Sequence, residues 1–249
     1  MPSTTRFVPR RIRKVAKDVL GSTAVQEQMA VLAKRLDHLE GRLYESKAAT
    51  TERSKTRWRA TAPTTNLTWG RPIVGDAFIA KAAEYDAFGD DRAILEIGPG
   101  YGRLLKAILK CQTPFSLYRG LDISPKNVAY LTEQFTDPRI GFIHGDAESV
   151  SLPQQFDIVI SSLVLKHIFP SFEKALTNVS AYLNPGSIVV FDVIEGQKQF
   201  FEDDEVTYIR YYTKEELVDI LERSSLQLVA FDEVLHDADH PRLLVVARK

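Results

Sequence analysis

The run ILEIGPGYGR, Ile94 to Arg103, sets Gly98, Gly100 and Gly102 at alternate positions between a strand-like and a helix-like segment. Glycines spaced in this way permit a tight turn and let a ligand lie against bare main chain, and the helix N-terminus that follows favours an anionic group such as a carboxylate. The third glycine comes four residues after the first, whereas the dinucleotide fingerprint G-x-G-x-x-G requires five, which argues against a nicotinamide cofactor. Acids recur at the ends of strand-like runs: Glu96 in the first, Asp122 in GLDIS and Asp146 in HGDAE. A single such acid is commonly a cap. Three of them behind a glycine turn converge where open α/β sheets bind ligands, beyond the carboxyl ends of the strands.

The elements that must position these residues follow from hydrophobic periodicity. Short β-branched runs alternate with helical patterns, the sequence form of parallel βαβ units. Strands are predicted at Ala93 to Ile97, Ser116 to Ile123, Ile140 to His144, Phe156 to Leu163 and Ser187 to Val193, and helices at Gly75 to Phe88, Arg103 to Lys110, Pro125 to Phe135, Ser171 to Leu183 and Thr213 to Ser224. Thr213 and Glu216 form a capping box and are assigned to the start of the last helix. Leu226 to Val234 and Leu243 to Ala247 flank a polar segment too short for a crossover helix, so they should pair as an antiparallel hairpin. Within that segment His236, Asp237, Asp239 and His240 offer nitrogen and oxygen ligands, but the cluster precedes a proline and reads as a solvated turn, so no metal is expected.

The motif E-x-G-x-G-x-G, Glu96 to Gly102, together with the acids that follow it, resembles the Rossmann-like (class I) S-adenosylmethionine-dependent methyltransferase family. FDIVISSLVLKHI, Phe156 to Ile168, and LNPGSIVVFDV, Leu183 to Val193, are similar to its fourth motif and fifth strand. The resemblance implies an α/β fold with a doubly wound, mostly parallel seven-stranded sheet and an antiparallel final hairpin over residues 69–249. It implies S-adenosylmethionine as cofactor, held by Glu96, Gly98, Pro99, Gly100, Tyr101, Gly102, Asp122, Ile123, Asp146, Ala147 and Ser162. Asp122 would accept both ribose hydroxyls, since two acceptor oxygens meet two donors, and Asp146 would lie beside the adenine amino group.

A hydroxyl acceptor needs its proton removed, and His167, just after the fourth strand, is the candidate base. The family shapes its acceptor pocket from the connection after the fifth strand and the segment before the first. Phe200, Phe201, Tyr208, Arg210, Tyr211 and, from the other side, Trp69 are therefore the expected acceptor-facing residues. The expected reaction is O-methylation of a small molecule or glycan hydroxyl. The alternatives are N-methylation of a small amine and a non-catalytic scaffold that binds the donor.

The N-terminal quarter differs from the rest. Residues 1–59 hold 14 Lys/Arg against 6 Asp/Glu, a net of +8, and the remainder 18 against 27, a net of −9. The acidic remainder gives no footprint for nucleic acid. Residues 1–21 include a basic amphipathic stretch, 7–20, in which Val8, Ile12, Val15 and Val19 make one apolar stripe, so peripheral membrane association is expected there. In residues 22–48, Val25, Met29, Leu32, Leu36, Leu39 and Leu43 repeat 4-3-4-3-4, a coiled-coil seam that predicts a homo-oligomer. Residues 49–68, rich in Thr, Ser, Ala and Arg, are predicted to be a linker. Cys111 is the only cysteine, which excludes an internal disulfide and a thiolate-rich zinc site. A cytoplasmic location, at the inner face of the membrane where the basic segment holds it, is expected.

Overall fold

The computed structural model describes residues 23–63, 74–235 and 241–249. The basic segment 7–20, Trp69 and the His236 to His240 cluster lie outside the described residues. The chain divides at Thr50/Thr51 into two compact units.

Helix α1 runs Thr23–Arg59. In the first unit Met29, Val31 and Leu32 are exposed in the single chain; the side chains of the other seam positions, Val25, Leu36, Leu39 and Leu43, lie outside the described set. The helix continues through residues 49–59, where the sequence predicts a linker. No apolar stripe marks this stretch; from Thr51 onward the chain is held by polar and aromatic contacts within the second unit, with Ser54 and Thr61 buried at 2% and 3% exposure.

After α2 (Asp76–Ala83) come β1 (Ala93–Ile97), α3 (Arg103–Lys110), β2 (Leu117–Asp122), α4 (Pro125–Gln134), β3 (Ile140–His144) and β4 (Phe156–Ser161). A short 3-10 turn, Leu165–His167, precedes α5 (Glu173–Ser180), β5 (Leu183–Glu195), β6 (Gln199–Phe201), β7 (Tyr208–Tyr212), α6 (Lys214–Arg223), β8 (Gln227–Leu235) and β9 (Pro241–Arg248). The sheet order β3-β2-β1-β4-β5 is parallel, with Leu95 opposite Val159 and Ile97 opposite Leu121. Strand β9 joins β5 antiparallel, Val190 opposite Val246, and β8 pairs β9 antiparallel, so the final hairpin forms as the sequence predicts. These seven strands are the expected doubly wound sheet. Two short strands not foreseen extend it: β7 pairs with the last two residues of β5, and β6 with β7.

Strand β1 is buried at all five positions, because helices cover both sheet faces. Alternate residues feed two cores. Leu95, Val189 and Phe191 pack with Phe172, Leu176 and Leu217, and Ile94, Ile188 and Val190 pack with Phe78, Leu104 and Ile108. Ser124 accepts from Asn127 N at the start of α4, and Thr213 with Glu216 closes the expected capping box on α6.

Candidate active site

The carboxyl ends of β1, β2, β3 and β4 open on one cavity of about 840 Å³, within the range of roughly 300–1,000 Å³ typical of small-molecule sites. Of the expected cofactor residues, Glu96, Gly98, Pro99, Gly100, Tyr101, Asp122, Ile123, Asp146, Ala147 and Ser162 line it. Gly102 does not. It caps α3 at φ 81°, and a Cβ there would meet Leu131 Cδ2 at 2.9 Å, so this glycine lets α3 pack against α4 rather than facing a ligand. Gly98, at φ 70°, donates its N–H to Leu121 O at 2.8 Å, and a Cβ on it would meet Val164 Cγ2 at 2.7 Å.

Asp122 anchors the turn. Its Oδ2 accepts Gly100 N at 3.0 Å, its Oδ1 accepts Ser124 N at 2.8 Å, and Asn127 Nδ2 lies 3.3 Å from both oxygens. Burial raises its pKa against those hydrogen bonds. Glu96 is 3% exposed, and burial lifts its pKa to about 7 although the Tyr118 hydroxyl donates to it and Arg103 attracts its charge. A carboxyl whose folded pKa lies above its unfolded value binds more protons when folded, so this group's contribution favours the fold at low pH and is lost as pH rises from about 4.5 to 7. The loss is on the order of 3 kcal/mol. Glu96→Gln, which keeps an acceptor for Tyr118, is expected to flatten that part of the stability-against-pH curve in urea titrations; an unchanged slope would show that Glu96 is not ionising there.

The end of α1 covers the β3 side of the cavity. Lys55 Nζ lies 2.6 Å from Asp146 Oδ2 and also bonds Glu148, while Asp146 Oδ1 accepts Glu148 N at 3.0 Å. Burial alone would lower the Lys55 pKa, but its two carboxylate partners hold it above the ordinary lysine value. For Asp146 burial acts upward and the Lys55 bond downward, and the pKa ends below the usual carboxylate range. Ser124 Oγ donates to Thr61 O at 2.6 Å, fastening the chain just beyond the helix.

The other end of the cavity is built around His167, whose ring centroid lies 4.7 Å from that of Trp58. Its Nδ1 is 2.7 Å from Tyr208 O. A carbonyl can only accept, so Nδ1 carries the proton and Nε2 the lone pair. Burial first, then the charges of Lys166, Arg242 and Arg57, push its pKa to about 3. In this electrostatic setting the ring is neutral at pH 7, and burial with three neighbouring cations disfavours the imidazolium that a general base would become. Ser162 accepts from Arg103 at 2.7 Å and donates to Asp192, which also accepts Leu163 N at 2.9 Å.

The acceptor-wall residues divide by strand alternation. Tyr211 faces the cavity with Ile209 and Ile194. Tyr208 and Arg210 point elsewhere on the same strand: the Tyr208 hydroxyl donates to Gln199 Oε1 at 2.8 Å, and Arg210 is held by Pro170 O at 2.7 Å and Glu216 at 3.1 Å. Phe200 is 42% exposed and Phe201 packs on Phe169 at 5.8 Å, neither lining the cavity. The sequence predicts an irregular connection here, in which the period of two has no meaning. Lys55, Arg57 and Trp58, inside the predicted linker, also line the cavity, as do Lys166, Glu202 and Arg242, none of them expected from the sequence. Ser54, Trp58 and Thr61 stand at 4-3 spacing, a signal that could have revealed a helical face there.

Residues 95–191 match the family model described as a methyltransferase domain. The chain is 28% identical over 113 residues to a fatty-acid O-methyltransferase of Mycolicibacterium smegmatis, 45% of this chain and 40% of that protein. It is 29% identical over 104 residues to a malonyl-[acyl-carrier protein] O-methyltransferase of Priestia megaterium, 42% of this chain and 37% of that one. The alignments thus span about two fifths of the length of these curated relatives. The fold is that of a solved amino pentose methyltransferase from Micromonospora echinaspora with S-adenosylmethionine bound, at a TM-score of 0.58 and 18% identity, covering 74% of this chain and 95% of that one.

Proposed function

We propose, from a methyltransferase domain matched over residues 95–191 on a Rossmann-like methyltransferase fold, that this protein transfers the methyl group of S-adenosylmethionine to an oxygen of a small-molecule acceptor. The observation that carries this reading is that the glycine turn and Asp122 share one cavity with the Trp58–His167 wall and the apolar residues of β5 and β7. The residues fit the donor. Gly98 and Gly100 offer bare main chain, the buried Asp122 carboxylate suits a vicinal diol, and Asp146 with Ala147 lines the region an adenine would take. Lys55 shares Asp146, so an adenine amino group there would meet a carboxylate already charge-compensated. Bound, the sulfonium supplies an activated methyl group, and the protein's task is to align the acceptor and exclude water.

His167 serves this task as a neutral hydrogen-bonding wall with its tautomer set by Tyr208 O, and Trp58 and the end of α1 shield that wall from solvent. Among oxygen acceptors, the hydroxyl of a small molecule or glycan unit is the broadest class. An amine arriving as ammonium would meet Lys166, Arg57 and Arg242, which disfavours N-methylation. Calorimetry is the test: S-adenosylmethionine and its demethylated product should both bind at micromolar levels, and NAD should not. Binding of NAD in their place would sink the reading.

A further inference from the structure

Lys166 is 8% exposed, lines the cavity, and has no hydrogen-bond or ion-pair partner among the described residues. An unpaired buried ammonium is costly in a folded protein, and one that faces a cavity has its missing partner in whatever fills that cavity. Arg57 and Arg242 line the same end; Arg57 donates to Thr61 Oγ1 at 3.1 Å and lies 3.6 Å from Asp204. Beside these cations the wall is apolar, with Phe169, Ile194 and Ile209. The acids of the cavity sit mainly at its other end, on the glycine-turn side, where Asp122 and Asp146 are engaged with main chain or Lys55. Two acids lie near the cations: buried Asp192, which accepts from Ser162 Oγ and Leu163 N, and Glu202; both attract Lys166, yet neither forms an ion pair with it within salt-bridge distance among the described residues.

We propose that the acceptor presents its oxygen as a carboxylate on an apolar body, seated against Lys166 with Arg242 and Arg57 beside it. The proposal rests on the methyl-transfer reading above. An ionised carboxylate needs no base, which agrees with a His167 ring whose protonation burial and the neighbouring cations disfavour. A carboxylate oxygen lone pair forms the new bond to the methyl carbon as the carbon–sulfur bond breaks, its electron pair staying on sulfur. The carboxylate becomes a neutral methyl ester, the sulfonium a thioether, and no proton changes hands. Loss of the negative charge removes the attraction to Lys166 and favours release of the ester.

Octanoate and octan-1-ol, equal in chain and different in charge, serve as probes by calorimetry on the full chain loaded with the demethylated donor product. Octanoate should bind at least ~10-fold more tightly than the alcohol, as expected for charge-assisted contacts. Lys166→Met, a change of similar length that removes a buried charge, should abolish that preference, and Arg242→Met should reduce it. The preference should also fade as pH rises through about 8, where Lys166 loses its proton; Arg242, Arg57, His167, Asp192 and Glu202 are the charged or titratable groups around it. Equal binding of alcohol and acid, no octanoate binding at millimolar concentration, or a preference that survives in Lys166→Met would each overturn the proposal. So would an equal weakening of the donor product itself by Lys166→Met, which would assign the lysine to the donor's own carboxylate. If the wild-type chain binds octanoate selectively but not the donor product, the methyl-transfer reading fails while the anion site stands.

Discussion

Asp122→Ala is expected to weaken binding of S-adenosylmethionine and of its demethylated product by about 10²–10⁴-fold, the value of two hydrogen bonds from a diol to a charged acceptor at 1.5–3 kcal/mol each. The carboxylate also accepts the main-chain N–H groups of Gly100 and Ser124, so the alanine variant additionally loosens the turn. Asp122→Asn separates the two effects, because it keeps one oxygen for the main chain and gives up the charge. Calorimetry on both variants reads the difference. Unchanged affinity in Asp122→Ala would mean that the donor does not lie on this carboxylate.

Gly98→Ala should be the most damaging single-atom addition in the cavity. At φ 70° a side chain costs about 1–2 kcal/mol, and a Cβ 2.7 Å from Val164 Cγ2 and 2.8 Å from Cγ1 adds an overpacking cost of about 1–3 kcal/mol. Urea denaturation should therefore show a loss of about 2–5 kcal/mol. Val164→Ala removes the two methyl groups that clash and should recover the overpacking part in the double variant, leaving the backbone part behind. If the double variant is no more stable than Gly98→Ala alone, the contact with Val164 is not what excludes a side chain.

The glycine turn and its acids were legible in the sequence because they obey short-range rules: a strand, a turn needing positive φ at Gly98 and Gly100, and an acid at each following strand end. The final hairpin was legible because a short polar connection leaves one way to pair β8 with β9. Gly102 was misassigned since a motif cannot say whether a glycine faces a ligand or a neighbouring helix such as α4. The proton affinity of His167 is not legible for a related reason: it depends on burial and on Lys166, Arg57 and Arg242, of which only Lys166 is near in sequence. The end of α1 escaped notice because its contacts, Lys55 with Asp146 and Trp58 with His167, lie across long stretches of chain and carry no apolar rhythm.

Strand β5 spans Leu183–Glu195, irregular around Gly186 and in steady register with β9 from Ile188 to Val193. Toward its end Asp192 ties down Ser162 and Leu163 N, and two residues on Ile194 pairs with Tyr211 of β7. One strand therefore sets the spacing between the Ser162 side of the cavity and its far wall. Selectivity can be retuned by exchanging what Ile209 and Tyr211 project into the cavity, with no loop to redesign and no hinge to re-time.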